Sequence, residues 1–411
     1  MTAPRTAHCV IAGGGPAGMM AGYLMARAGV DTIVLEKHGD FLRDFRGDTV
    51  HPSTMEIFHD LGLLERFLQR PHQRMDRIAI NFAGQRIEMA SFATLPTVCR
   101  FIAFMPQWEF LDFLASEGKT LPHLTLLMST KADKLIETNG RITGVVATGP
   151  QGPFDIIADL TIAADGRTSG LRQQSGLSVT EIGAPIDVLW FSLPRTATAA
   201  PDTLLNAGAG NVVVTIDRGD YWQCAYVIDK GTLADVRARG IDALQETVLA
   251  AAPHLGADVQ ALRSWDEVKL LSVTMDRLDQ WARPGFLCIG DAAHAMSPIG
   301  GVGINLAVQD AVATANLLAA RLAGGTLTDA DLDRVQKRRA FPAKVIQFLQ
   351  TQIQQRVIGQ MLASKKSPSD RPPLLFHIVT HTPFLQRLAA RMIGLGVRPE
   401  HPTAPDVASP G

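Results

Sequence analysis

Apolar positions along this chain change their period at a few sharp places, and those changes mark its elements. Residues 9–26 carry no charged side chain. The run begins as a short buried strand through Cys9 to Ala12, breaks at Gly13-x-Gly15-x-x-Gly18, and resumes at helical spacing through Met20, Leu24 and Met25. Gly29 ends that helix, and Asp31-Thr-Ile-Val-Leu-Glu36 predicts a second strand. A similar change recurs late in the chain. Gly285-Phe-Leu-Cys-Ile-Gly290 reads as a buried strand that runs into Asp291-Ala-Ala-His294, then Pro298-Ile-Gly-Gly-Val-Gly303-Ile-Asn305, then a helical pattern through Leu306, Val308, Leu317 and Leu318. Between these lies Asp159-Leu-Thr-Ile-Ala-Ala164, a strand leading into an Asp165-Gly166 turn and a helix start over Ser169 to Arg172. Period-two alternation dominates Asp187 to Leu193, Asn211 to Ile216 and Tyr221 to Ile228, the last two joined by the Asp217–Asp220 turn. After residue 328 the pattern is helical.

The first cluster has a direct chemical meaning. Gly13 permits a tight turn, Gly15 lets the backbone approach a pyrophosphate, and Gly18 allows the helix to pack closely on the strand. Pro16 suits the first helical turn, where Ala17 follows it. Glu36, followed by Lys37, ends the second strand where a carboxylate can accept from a ribose diol. A dinucleotide cradle is the reading. Asp291 reads either as a helix cap or as a ligand for a polyol chain, and the N–H groups of Gly303, Ile304 and Asn305 can stabilise an anion at a helix start.

Composition narrows the class. The chain has 411 residues and a formal charge of −1, giving no reason to expect nucleic acid or an anionic membrane as partner. The glycines and proline of residues 9–26 argue against a signal peptide or membrane span, and a cytoplasmic protein is expected. Cys9, Cys99, Cys224 and Cys288 are scattered, without metal-ligand spacing, and read as buried free thiols in a reducing compartment; no metal site is expected.

GGGPAG, DGRTSGLR and GDAAHAMSPIGGVGIN together resemble the three fingerprints of single-component flavoprotein aromatic monooxygenases, the para-hydroxybenzoate hydroxylase-like group, over roughly residues 6 to 350. The resemblance implies FAD along Gly13, Gly15, Gly18 and Glu36, with Asp291 on the ribityl chain and Ile304 and Asn305 near the flavin's pyrimidine edge. It implies that Asp165 and Arg172 serve both FAD and a transient NADPH or NADH, that Gln107 and Arg46 contact the flavin, and that the Pro298 carbonyl lies beside the hydroxylation site. For Gln107 an ordinary helix-opening role stands as the alternative, and for Arg43 surface solvation. His51 and His294 read as structural. The implied activity is hydroxylation of an aromatic substrate by dioxygen through a flavin C4a-hydroperoxide. The alternatives are a flavin reductase without oxygen transfer and a non-catalytic flavin-binding protein; a halogenase is disfavoured because the GWxWxIP string is missing.

The expected architecture is α/β: a doubly wound FAD-binding domain (residues 1–75, 97–180 and 277–325) with an inserted, mainly antiparallel substrate sheet (76–96 and 181–276). C-terminal helices (326–396) and a flexible tail (397–411), too polar and proline-rich to pack, complete it. No domain is expected beyond that tail, and the assembly is expected to be a monomer or homodimer. Tyr221 and Gln223 share one face of their strand and are the favoured substrate contacts, the opposite face looking more like core. With Arg218 assigned to a turn and no arginine cluster on the strands, a largely apolar aromatic or polyketide-like substrate is expected.

Overall fold

The computed structural model describes residues 4–42, 49–82, 84–196, 205–208, 210–363 and 382–407. Its centre is a parallel sheet in the strand order Phe286–Cys288, Gly152–Ala163, Arg5–Ala12, Thr32–Leu35, Leu124–Leu127. Three of these strands are the apolar runs that precede the glycine or Asp-Gly turns. The parallel pairing therefore brings the three turns to one edge, the carboxyl end of the sheet, where open α/β folds bind ligands. Gly152–Ala163 is long enough for three partners: its first half pairs antiparallel with Arg141–Gly149, its second half parallel with Arg5–Ala12, and its last three residues parallel with Phe286–Cys288.

Helix Pro16–Arg27 packs between the sheet and helix Gly303–Ala323. The fit is close because Gly22 carries no side chain; a Cβ there would lie 2.5 Å from Val34 Cγ2. Among the described residues, only Ile299–Ala323 has the length and apolarity to cross a bilayer, and 83% of its apolar window is buried inside the protein. Its composition is that of a core helix.

A second sheet stands apart in order and direction. It runs Lys269–Ser272, Ile186–Pro194, Tyr221–Asp229, Asn211–Asp217, Leu205–Gly208, Arg77–Phe82, Gln85–Ser91. Every neighbour is antiparallel except Leu205–Gly208 with Arg77–Phe82. Alternation in Tyr221–Asp229 divides its side chains as the pleat requires. Trp222, Cys224, Tyr226 and Ile228 pack against Leu244 and Val248 of helix Ile241–Ala251. Ala225 and Val227 join Ile299 and the C-terminal residues Val357 and Ile358. All four cysteines are buried and free.

Helix Asp329–Ile353 starts at a capping box between Thr328 and Asp331 and continues through a π-turn, Gln354–Ile358. Helix Pro383–Gly394 follows. The expectation of a flexible tail fails for residues 397–407, which form a strap across helices Pro16–Arg27, Gly303–Ala323 and Asp329–Ile353. Glu400 is buried and takes both Arg338 Nε and Nη2, at 2.7 and 3.2 Å. Arg27 Nη2 meets Asp406 Oδ2 at 2.6 Å, and Asn316 Oδ1 accepts from the N–H groups of Thr403 and Ala404. The strap adheres through ion pairs and backbone hydrogen bonds, to which a hydrophobicity argument is blind.

Candidate active site

The turn at the first strand is built by two steric necessities and one vacancy of side chains. Gly13 has φ +108°, and a Cβ there would lie 2.3 Å from the Ala164 carbonyl oxygen. A Cβ on Gly18 would lie 1.9 Å from the Gly13 oxygen. Both positions need glycine for the chain's own packing. Gly15 does not: its backbone is ordinary (φ −76°, ψ −177°), and a Cβ would meet no atom within 4 Å. Pro16 opens the helix and Ala17 is buried beside it. Glu36 is buried at the strand end, with Gly14 N–H donating to Oε2 at 3.1 Å and His38 N–H to Oε1 at 3.0 Å, while Lys37 is exposed.

Asp165 lies against this turn, its Cα 2.9 Å from where a Gly13 Cβ would be. Burial pushes its pKa up against hydrogen bonds from Ser169 and the local backbone, and its Oδ1 is enclosed without a partner among the described residues. Arg167 Nη2 reaches Asp291 Oδ2 at 3.0 Å, joining the middle and late fingerprints. Arg172 is buried, and its two terminal nitrogens donate to Arg167 O (2.8 Å), Ala292 O (3.3 Å) and Asp276 Oδ1 (3.3 Å), while its Nε has no partner among the described residues. Its place is that of a staple beneath the turn.

The late turn is held from outside. Gly290, at φ +60°, donates its N–H to Asp310 Oδ2 at 3.1 Å, fixing the turn that carries Asp291. Asp310 is fully buried; burial pushes its pKa up, but the charges and hydrogen bonds of His294 (2.6 Å) and Arg339 (2.9 Å) more than reverse this. Arg339 continues to Glu400 of the strap at 3.4 Å. His294 is thus enclosed and braces the turn through Asp310. Pro298 O accepts from Gly301 N–H at 3.1 Å, and Gln350 brackets Pro298 by accepting from Ser297 N–H and donating to the carbonyls of Ser297 and Ile299.

At the helix start, the first ladder bond is Leu306 N–H to Val302 O, so the N–H groups of Gly303, Ile304 and Asn305 precede the ladder. Gly303, like Gly15, has nothing within 4 Å of a Cβ. The Asn305 side chain is fully used. Oδ1 accepts from His51 N–H and Thr54 Oγ1 (both 2.8 Å), and Nδ2 donates to Thr49 O and Gly301 O (both 3.2 Å). Only its backbone is left for a ligand. His51 Nδ1 lies 2.7 Å from the Ile393 carbonyl, which only accepts; Nδ1 therefore carries the proton, and burial lowers the ring's pKa to about 4.

Gln107 opens helix Gln107–Gly118 and is half-buried. Arg46 and Arg43 lie outside the described residues. Tyr221 is half-buried, and Gln223 is buried with Oε1 taking Arg218 Nε and Nη2 at 2.9 and 2.8 Å. Arg218 therefore reaches back from its turn onto the sheet, which the assignment to a turn alone overlooked. Gln350, Asp310 and Arg339 were also missed, although buried-type spacing of polar residues on a helix was a signal for the first. Among the described residues there is no cluster of His, Cys, Asp and Glu able to hold a metal.

The FAD binding domain family matches residues 6–349 of this chain. The chain belongs to the FAD-dependent aromatic monooxygenases. This monooxygenase is 33% identical to 6-methylpretetramide 4-monooxygenase of Streptomyces rimosus over 82% of its own length and 80% of the relative's. It is 26% identical to the 12-dehydrotetracycline 5-monooxygenase/anhydrotetracycline 6-monooxygenase of the same species, spanning 63% of that protein. In fold it resembles the anhydrotetracycline hydroxylase OxyS of S. rimosus, with TM-score 0.75 at 23% identity over 97% of this chain and 78% of the other.

Proposed function

We propose that this monooxygenase hydroxylates a phenolic, fused-ring substrate of the tetracycline type, with NADPH or NADH as a visiting reductant. The observation that carries the cofactor site is Gly15. Nothing in the protein requires glycine there, whereas a pyrophosphate lying on the turn and on the N-terminus of helix Pro16–Arg27 does. Glu36 would hold the ribose, pre-set by the Gly14 and His38 N–H groups, and Asp291 the ribityl chain once Arg167 yields. Asp165, Gln107, Lys37 and Arg46 would border the cofactor. Bound reduced flavin supplies the activation of dioxygen and the transfer of one oxygen atom to the ring. The N–H groups of Gly303 to Asn305 would stabilise negative charge at the pyrimidine edge, and the Pro298 carbonyl, braced by Gln350, would border the reacting carbon.

The relatives' substrate names support a fused-ring aromatic, and the apolar face shared by Ala225, Val227 and Ile299 supports a substrate held mainly by shape. Tyr221 and Gln223, with Arg218 behind it, would supply polar contacts. Buried free thiols fit a cytoplasmic enzyme. Turnover under ¹⁸O₂ tests the reaction: one labelled oxygen in the product is expected, and conversion without label would leave a reductase. For the site, Gly15→Ala should melt like wild type when free of cofactor yet bind FAD at least about tenfold more weakly. Unchanged FAD affinity by titration would remove the pyrophosphate from this turn.

A further inference from the structure

Helix Asp329–Ile353 and the π-turn after it enclose three glutamines, Gln347, Gln350 and Gln354. Two have their amides committed to the segment around Pro298. Gln347 Nε2 donates to the carbonyls of Asp276 (2.7 Å) and Ala295 (3.1 Å). Gln350 Nε2 donates to those of Ser297 and Ile299, both at 2.9 Å, and its Oε1 accepts from Ser297 N–H at 3.1 Å. Gln354 differs. It is 1% exposed, its Nε2 reaches Met275 Sδ at 3.4 Å, and its Oε1 has no partner among the described residues. Exchanging the amide's oxygen and nitrogen does not repair this, because a thioether cannot donate. One polar end of Gln354 is orphaned in either orientation, and an enclosed carbonyl without a donor weakens the fold.

The surroundings suggest what the orphan is kept for. Met275 belongs to one apolar cluster with Ala225, Val227 and Ile299. Ala225 and Val227 lie on the Gln223 face of the substrate sheet, and Ile299 directly follows Pro298. Gln354 therefore packs beside the buried cluster that joins that sheet to the segment of the candidate hydroxylation site. It also opens a π-turn, an irregularity that re-aims side chains and recurs at functional sites.

We infer that Gln354 is a specificity-determining residue whose side-chain carbonyl accepts a hydrogen bond from a ring hydroxyl of the substrate. The inference rests on the proposed phenolic substrate. 2-Naphthol and naphthalene, titrated into the holoenzyme and followed by the flavin absorbance, test it as a pair differing by one hydroxyl. Wild type should prefer 2-naphthol. Gln354→Met, matched in length, should weaken 2-naphthol binding about tenfold and leave naphthalene within twofold. Gln354→Leu should behave alike. Both variants should melt at or above the wild-type temperature without ligand, because the orphaned carbonyl is gone. Retained preference for 2-naphthol, equal loss of both probes, or a lowered melting temperature with the preference intact overturns the inference. If neither probe binds wild type, the aromatic substrate reading fails first and the inference with it.

Discussion

Two turns of this protein look alike in sequence and are held in different ways. Each carries a buried strand into a glycine-rich helix start with an acid nearby. The early one supports itself: Gly13 packs on Ala164, Gly18 on Gly13, and Glu36 on Gly14, so its geometry follows from neighbours in the same β-α-β unit and the adjacent strand. The late one is braced by distant parts of the chain. Asp310 ties Gly290, Gln350 brackets Pro298, Thr49 and His51 tie Asn305, and the strap locks Arg339 through Glu400. The turn proposed to border the reacting centre is held by several distant parts of the chain, as pre-organisation of a site requires.

The largest expected effect breaks the early turn from within. Gly18→Ala sets a methyl 1.9 Å from a backbone oxygen that cannot move without unmaking the turn, so this variant should be insoluble or purify without FAD. Soluble, yellow Gly18→Ala protein would mean that the early turn is as adaptable as a surface loop.

Next comes the brace of the late turn. Arg339→Met leaves the buried carboxylates of Asp310 and Glu400 without their shared cation, for an expected loss of about 3–5 kcal/mol in urea unfolding and weaker FAD retention through Gly290. A loss below about 1 kcal/mol would reduce the strap to decoration and make the two turns equally self-sufficient.

The smallest effect is a pH dependence at the His51 tie. Its folded pKa of about 4 lies below the ordinary 6.5, so above pH 6.5 folded and unfolded chains are alike at this ring and its neutral form holds Ile393. Between pH 6.5 and 4 the unfolded chain binds the extra proton, and stability falls by up to roughly 3 kcal/mol. Melting temperatures of wild type and His51→Gln should converge as the pH is lowered through this window. A constant gap between the two would assign the acid sensitivity to other groups.

The first turn was legible because its demands are local: glycine at Gly13 and Gly18 and an acid at Glu36 appear at fixed spacing whatever the rest of the chain does. The three apolar strands before the turns, and the alternation of Tyr221 to Ile228, were legible for the same reason, since period reports burial directly. The strap was misread because Glu400, Asp406 and the backbone around Thr403 find their partners at Arg338, Arg27 and Asn316, far away in sequence, and local composition carries no trace of them. Likewise Asn305 was expected to face the cofactor, and only the approach of Thr49, His51 and Thr54 assigns its amide to the protein.

By itself, then, the sequence determined the family, the α/β sheet with its nucleotide-type turn, and the second sheet, because glycine sterics and side-chain period act over a few residues. Tertiary structure decided which polar groups are already spent, such as the side-chain amides of Asn305 and Gln350, and which are left over, such as the Gln354 carbonyl. Hydrogen bonding is a matter of distance in space, and only the folded chain sets that distance.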